Sequence, residues 1–143
     1  MSPPFRVEHI GSFLRPERLL QAARAHKESR LGEIQFRKLQ DECIREIVAF
    51  QESLGLPSVT DGEFRRRSWS AGFIDAVDGF GLREGTLSFR DAARVIGVAS
   101  SPYARAPLKR KHRIVADDFR FLKSAVKRGV PKATVASPPV MHY

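Results

Sequence analysis

The stretch that decides the fold is IQFRKLQDECIREIVAFQESLGLPSVTDGEF, residues 34–64. Apolar residues recur in it at steps of three or four, which predicts one long helix from about Ile34 to Leu54. The predicted buried stripe of this helix is Phe36, Leu39, Cys43, Ile47, Phe50 and Leu54. Gly55 is placed to end the helix, and residues 56–61 predict a short strand. Because Cys43 lies on the stripe, we expect a buried structural thiol rather than a nucleophile.

Residues upstream of this stretch add a strand and a helix. Phe5, Val7 and His9 alternate with charged residues, which predicts a strand over residues 5–9. A helix is predicted from Pro16, with an apolar side formed by Leu19, Leu20 and Ala23. The order strand, helix, strand is that of a βαβ unit and predicts parallel pairing.

Downstream, two β-like pieces at residues 86–89 and 95–99 predict a hairpin or an excursion from the main sheet. Asp117 or Asp118 is expected to cap a further helix that ends at Gly129. Its inward residues are predicted to be Phe119, Leu122 and Val126. A last strand is expected over residues 132–136, just before the chain stops.

Length and composition bound the class of protein. The chain has 143 residues and a hydrophobic share of 42%, enough for one globular domain over residues 1–143. No apolar run approaches the ~20 residues that a membrane helix needs, and the N-terminus lacks a secretory pattern. A single cysteine cannot form an internal disulfide. We therefore expect a cytoplasmic protein without a membrane partner.

The net charge of +9 is concentrated near the C-terminus. Ten basic residues lie between Arg105 and Lys132, against only two acidic ones, Asp117 and Asp118. One interpretation is a surface for a polyanion, and the other is a solvated basic face. No DNA- or RNA-binding motif accompanies the basic residues, which makes nucleic acid the weaker partner.

The fold class that this pattern predicts is α/β. A (β/α)8 barrel takes roughly 250 residues, and its parallel strands are covered by helices. Here the last predicted strand has no helix after it. The sequence therefore predicts an incomplete (β/α)8 barrel, with about the first three strands, their helices and an inserted β-hairpin, as the opening part of something larger.

Three strand-end loops carry the candidate site residues: residues 9–12, 60–63 and 137–139. Ligands of parallel α/β folds gather at the C-terminal ends of strands, so we expect these loops to share one mouth. Gly11 allows close backbone approach, Ser12 offers a hydroxyl to a carboxylate, and Glu63 offers an anion to an ammonium group. Together they suit the two ends of an amino acid, although ordinary turns would show the same residues.

Several motifs in this order resemble the cobalamin-independent methionine synthase family. They are residues 9–16 (HIGSFLRP), residues 51–56 (QESLGL), residues 59–66 (VTDGEFRR), Trp69, and Ser137-Pro138. The resemblance implies a (β/α)8 barrel that transfers a methyl group from 5-methyltetrahydrofolate, usually polyglutamylated, to homocysteine. It also implies that Ile10, Gly11, Ser12 and Glu63 hold the amino acid. His9, Asp61 and Arg65 lie beside them in sequence and are weaker candidates. His142 and Tyr143 are also weaker candidates; they follow the third predicted strand, near where the family shapes its pterin pocket.

The resemblance further implies a zinc ion, whose ligands in the family lie on later strands. Only Cys43 is available here, and the four histidines have no metal-ligand spacing with it, so no metal ligand is assigned to this chain. We expect the isolated chain to hold part of the homocysteine site without running the reaction. The remainder of the barrel, or a second copy of the chain, is an expected partner. The basic residues 65–67 or 109–111 are candidates for electrostatic attraction of the glutamate tail of the folate.

Two alternatives from other functional classes stay open. The first is a non-catalytic partial-barrel subunit for binding or assembly. The second is a basic nucleic-acid-binding protein, whose affinity would fall steeply with added salt.

Overall fold

The structure is a computed structural model that describes residues 7–90 and 95–137. Its elements, in chain order, are α1 (Glu17–Lys27), α2 (Glu33–Ser53), β1 (Ser58–Val59), α3 (Ala71–Ala76), β2 (Val77–Arg90), β3 (Val95–Arg110), α4 (Ala116–Ala125) and β4 (Val130–Pro131). The fold is therefore mixed α/β. The chain divides into two compact units, one formed by Met1–Arg66 with Val115–Thr134 and the other by Arg67–Ile114 with Val135–Tyr143.

Helix α2 confirms the prediction for residues 34–54 to within one residue at each end. Its end is a Schellman motif, in which the Leu56 N–H donates to Gln51 O (3.2 Å) and the Gly55 N–H donates to Glu52 O (3.1 Å). Gly55 has φ +71°, a left-handed conformation that glycine adopts without a steric penalty. The glycine therefore ends the helix for the reason that the sequence indicated.

The buried face of α2 is rotated from the predicted stripe. Cys43 is fully buried, as predicted, but Phe50 and Leu54 are at least half exposed. The buried positions are Gln40, Cys43, Ile44, Val48 and Gln51, which include two glutamines. The stripe was wrong at its C-terminal end because apolarity alone decided it. In the fold, the Gln51 amide hydrogen-bonds the buried backbone of Thr60 and therefore faces inward.

The first unit has its core between α1, α2, α4 and the strands. Seven buried residues form it: Leu19, Cys43, Ile44, Val48, Val59, Phe64 and Leu122. On α1 the second buried residue is Ala22, whereas the predicted Ala23 is exposed. On α4, Leu122 is buried as predicted, but the N-cap is Val115 and the helix ends at Ala125, before Gly129. Asp117 and Asp118 instead lie in the first turn, where the helix dipole interacts favourably with a negatively charged carboxylate.

Strands β1 and β4 pair in parallel, with Ser58 opposite Val130 and Val59 opposite Pro131. The parallel pairing agrees with the predicted parallel sheet, and β1 lies within the predicted strand 56–61. The predicted last strand is wrong in position: β4 ends at Pro131, and residues 132–136 form no strand. The first predicted strand, residues 5–9, is not observed. Residues 5 and 6 lie outside the described residues, and residues 7–9 form no strand. The His9 carbonyl accepts a hydrogen bond from the Lys132 ammonium group, not from the backbone of a neighbouring strand.

In the second unit, the short helix α3 leads into an antiparallel pair formed by β2 and β3. The predicted hairpin is confirmed and is longer than expected. Its register is irregular between Asp78 and Phe80, where the partner shifts from Lys109 to Ala104. No helix in the described parts of the chain is long and apolar enough to cross a membrane.

Candidate functional site

The loop after β1 holds Glu63 in an unusual backbone conformation. Glu63 has φ +56°, which few residues other than glycine adopt. The Asp61 carboxylate accepts the Glu63 N–H (2.9 Å), and the Thr60 hydroxyl accepts the Gly62 N–H (3.2 Å). These short-range bonds favour a tight turn and stabilise the strained residue. Strain of this kind persists where surrounding contacts over-determine it, and it is common at ligand sites.

The loop before α1 lies against this turn. The Phe13 N–H donates to Gly62 O (3.2 Å), which joins the two loops through their backbones. His9 stacks on the Phe13 ring with 3.7 Å between ring centroids, and its Nε2 lies 2.7 Å from Gly11 O. Gly11 has φ +90° and open space beside its Cα, so the chain can turn sharply ahead of Ser12.

The Glu63 carboxylate is the point at which three loops meet. The Ser12 hydroxyl donates to Glu63 Oε2 (3.3 Å), and the Thr134 hydroxyl donates to Glu63 Oε1 (2.8 Å). Arg66 Nη1 lies 3.3 Å from the same Oε1. The Glu63 side chain is only 13% exposed, yet its bond to Ser12 is solvent-accessible. Oε1 therefore faces inward partners, while Oε2 lies on the side from which a ligand can approach.

The structure brings some of the predicted site residues together and separates others. Ser12 and Glu63 are brought together, and Gly11, His9 and Asp61 shape the turns around them. Ile10 is 80% exposed, and the structure gives its side chain no described partner at the carboxylate. His142 and Tyr143 lie outside the described residues, as does most of the predicted loop 137–139.

Arg65 lies elsewhere. Its side chain is 4% exposed and forms ion pairs with Asp41 and with Asp118 (3.3 Å). Its guanidinium also lies 4.5 Å from the centroid of the Phe121 ring. These contacts tie the loop to α2 and α4 and correct the expectation that Arg65 belongs beside Ser12 and Glu63. Neighbouring side chains on an irregular turn point in different directions, so Arg66 faces the carboxylate instead.

Sequence reasoning missed Thr134, Arg15 and the role of Lys132. Thr134 was expected within a strand, and it reaches Glu63 because β4 ends at Pro131. Arg15 belongs to the same motif as Gly11 and Ser12, which was the available signal for it. Lys132 had been grouped with the basic cluster, but it pairs with Glu8 (2.7 Å) and lowers the pKa of that carboxyl group through this hydrogen bond and its charge.

The zinc ion that the resemblance implies does not fit these residues. Within the described ranges, no group of three or more histidine, cysteine, aspartate or glutamate side chains is arranged to hold a metal. Cys43 is buried in the hydrophobic core of the first unit, in the cluster that also contains Val59 and Phe64.

The chain is similar to several known proteins, although no protein-family model matches it. It is 32% identical over 148 residues to the uncharacterized protein YxjG of Bacillus subtilis, covering 99% of this chain and 37% of YxjG. It is 31% identical over 78 residues to the 5-methyltetrahydropteroyltriglutamate–homocysteine methyltransferase of Nitrobacter winogradskyi, covering 54% of this chain and 10% of that enzyme.

A solved structure gives the same result for the fold. The putative vitamin-B12 independent methionine synthase of Listeria monocytogenes matches with a TM-score of 0.74 and 31% identity, over 98% of this chain and 38% of that one. The relatives whose names state an activity are methionine synthases. The chain is thus similar to proteins of the cobalamin-independent methionine synthase family, as its motifs predicted. It spans 37% of the length of YxjG and 38% of the Listeria chain.

Proposed function

We propose that this chain supplies part of the homocysteine site of a cobalamin-independent methionine synthase. The complete enzyme would transfer a methyl group from 5-methyltetrahydrofolate to homocysteine. This chain would form an incomplete (β/α)8 barrel, and other strands would complete it. The observation that carries the proposal is the convergence of Ser12 and Glu63, which lie 51 positions apart in sequence and are joined by a hydrogen bond.

The chemistry of the two side chains fits the two ends of an amino acid. The Glu63 carboxylate accepts hydrogen bonds and suits the α-ammonium group, which can approach Oε2. The Ser12 hydroxyl can turn from Glu63 to donate to the α-carboxylate, since a hydroxyl rotates to suit its partners. Gly11 leaves open space at this position, so the amino-acid backbone can approach closely.

The described residues bind and orient rather than catalyse. The nucleophile in methyl transfer to sulphur is the thiolate, and activation of a thiol needs a cation, a base or a metal beside it. The proposed role of this chain ends at the amino-acid backbone. Thiol activation and the folate are assigned to the remainder of the barrel, which agrees with a chain that covers little more than a third of its relatives' length.

Binding measurements on the 143-residue chain test the proposal. Calorimetric titration compares L-methionine with 4-(methylthio)butanoate, which keeps the carboxylate and the thioether but lacks the ammonium group. A hydrogen bond to a charged group contributes about 1.5–3 kcal/mol, so we expect L-methionine to bind about 10- to 150-fold more tightly. Glu63→Gln should remove most of this difference. Ser12→Ala should weaken both ligands by about 0.5–1.5 kcal/mol.

The matched control is Glu28→Gln, which changes an exposed carboxylate that is paired with the exposed Arg30. It should leave both affinities unchanged. Equal affinity for the two ligands in the unmodified chain, or no change in either site variant, would contradict the proposed function.

A further inference from the structure

Three basic side chains connect the three loops around Glu63, each through a backbone carbonyl of the next loop. Arg15 Nη2 donates to Glu63 O (2.9 Å) and to Arg66 O (2.8 Å). Arg66 Nη2 donates to Thr134 O, in the loop after β4. Lys132 Nζ donates to His9 O (2.6 Å), two residues before Gly11, and so connects the loop after β4 back to the loop before α1. We call Arg15, Arg66 and Lys132 the basic bridges.

The bridges donate to carbonyl groups that lie outside the regular helices and strands. Residues 60–66 form an irregular turn, in which Glu63 O accepts the Arg66 N–H (3.2 Å) and takes Arg15 as a second donor, while Arg66 O also accepts from Arg15. A guanidinium presents several N–H donors in a fixed fork. Both bonds of Arg15 come from one nitrogen of this fork, Nη2, which reaches two carbonyls three residues apart. Hydrogen bonds from charged donors are stronger than neutral ones.

Arg15 acts on the residue whose backbone is strained. Its bond to Glu63 O restrains the peptide that follows the left-handed Glu63, while the Asp61 carboxylate restrains the peptide before it. Arg15 lies three residues after Ser12, so the same side chain fixes the separation of the two loops. Loss of Arg15 leaves Glu63 free to return to an ordinary conformation, which would swing its carboxylate away from Ser12.

We propose that the basic bridges are positioning residues for the amino-acid site, with Arg15 as the principal one. They touch backbone carbonyls and act on the ligand only through the placement of Glu63 and Ser12. The inference rests on the proposed function, since it explains how the carboxylate for the ammonium group is held. It also gives part of the basic charge a role other than attraction of a polyanion.

The test uses the ratio of affinities for L-methionine and 4-(methylthio)butanoate, measured by calorimetry on the 143-residue chain. General loosening of the fold weakens both ligands alike, whereas misplacement of Glu63 weakens only the ligand that carries an ammonium group. We expect Arg15→Ala to lower the ratio about tenfold, as loss of one charge-assisted hydrogen bond would. Arg15→Lys keeps the charge but not the fork, and it should recover part of the ratio.

The matched control is Arg30→Ala, which removes an exposed arginine paired with Glu28. Its ratio should equal that of the unmodified chain. Lys132→Met provides a second test should Arg15→Ala fail to fold, and it should lower the ratio in the same direction. A ratio near one in the unmodified chain refutes the proposed function. A high ratio that is retained in folded Arg15 and Lys132 variants refutes the positioning role alone.

Discussion

Replacing Gln51 with leucine removes an amide that completes the backbone bonding of a buried residue. Gln51 is fully buried on α2, and Thr60 is nearly so at the end of the β1 segment. The Gln51 amide donates to Thr60 O (2.8 Å) and accepts from the Thr60 N–H (2.9 Å), as a neighbouring strand would. Leucine has a similar volume but no polar atom, so Gln51→Leu leaves both backbone groups without these partners.

The expected cost follows from these two groups. An orphaned buried donor or acceptor costs about 1–3 kcal/mol, so the pair costs about 2–6 kcal/mol. Burial of the leucine side chain in place of the amide offsets about 1.5–3 kcal/mol of this. The midpoints of these two ranges differ by about 2 kcal/mol, which is the net loss that we expect in the free energy of unfolding, against the ~5–15 kcal/mol typical of a domain.

Urea unfolding followed by far-ultraviolet circular dichroism measures this loss, because most of the helix lies in the first unit. The urea midpoint should fall while the slope of the transition stays constant. Gln35→Leu on the same helix is the control, since Gln35 is exposed, and it should change stability by less than about 0.5 kcal/mol. A Gln51→Leu variant as stable as the unmodified chain would refute the view that this amide turns α2 toward β1.

Two further changes test the electrostatics of the first unit. Glu52 accepts hydrogen bonds from the backbone N–H groups of residues 127 and 128 (both 2.6 Å), which lowers the pKa of its carboxyl group below the usual 4.5. The ionised carboxylate therefore stabilises the fold fully above pH 4.5. This stabilisation is lost as the pH falls through the pKa of the folded state. Denaturant titrations between pH 7 and 3 should therefore show a smaller loss of stability in Glu52→Gln than in the unmodified chain, and equal losses would contradict this role. Arg65→Ala leaves two aspartates without their buried partner and should cost about 3 kcal/mol by the same unfolding assay. Arg67→Ala breaks an exposed pair and should cost less than about 1 kcal/mol, so similar losses in the two variants would be evidence against a structural role for Arg65.

Local patterns predicted the elements of the first unit well where a short-range rule applies. Apolar spacing gave α2 its length, and Gly55 gave it an end, because both depend on residues within a few positions of each other. In the second unit, the two short β-like pieces predicted a hairpin, and both of its strands are longer than those pieces. The first strand failed because a strand needs a neighbour, and residues 7–9 have none among the described residues.

The candidate site shows the same division. The motifs identified Ser12 and Glu63, and the expectation that strand-end loops converge agrees with their hydrogen bond. Thr134 and Lys132 were not identified, because their contacts depend on where β4 ends and span 71 and 123 positions of sequence. Arg65 and Arg66 are identical in type and adjacent, so no pattern of residue types distinguishes the one that packs against Phe121 from the one that faces Glu63.

The sequence by itself determined that the segments of α1, α2 and α4 are helical, although it did not indicate α3. It also determined where α2 ends, that Cys43 is buried, and which two motifs carry the polar loops. Those properties follow from backbone propensity and from periodic apolarity, which act over a few residues. Only the tertiary structure decided that Gln51 faces inward, that Arg65 is buried, and that three basic side chains connect the loops around Glu63. Each of these depends on contacts with residues far away in sequence: the Thr60 backbone for Gln51, Asp41, Asp118 and Phe121 for Arg65, and carbonyls of neighbouring loops for the basic bridges.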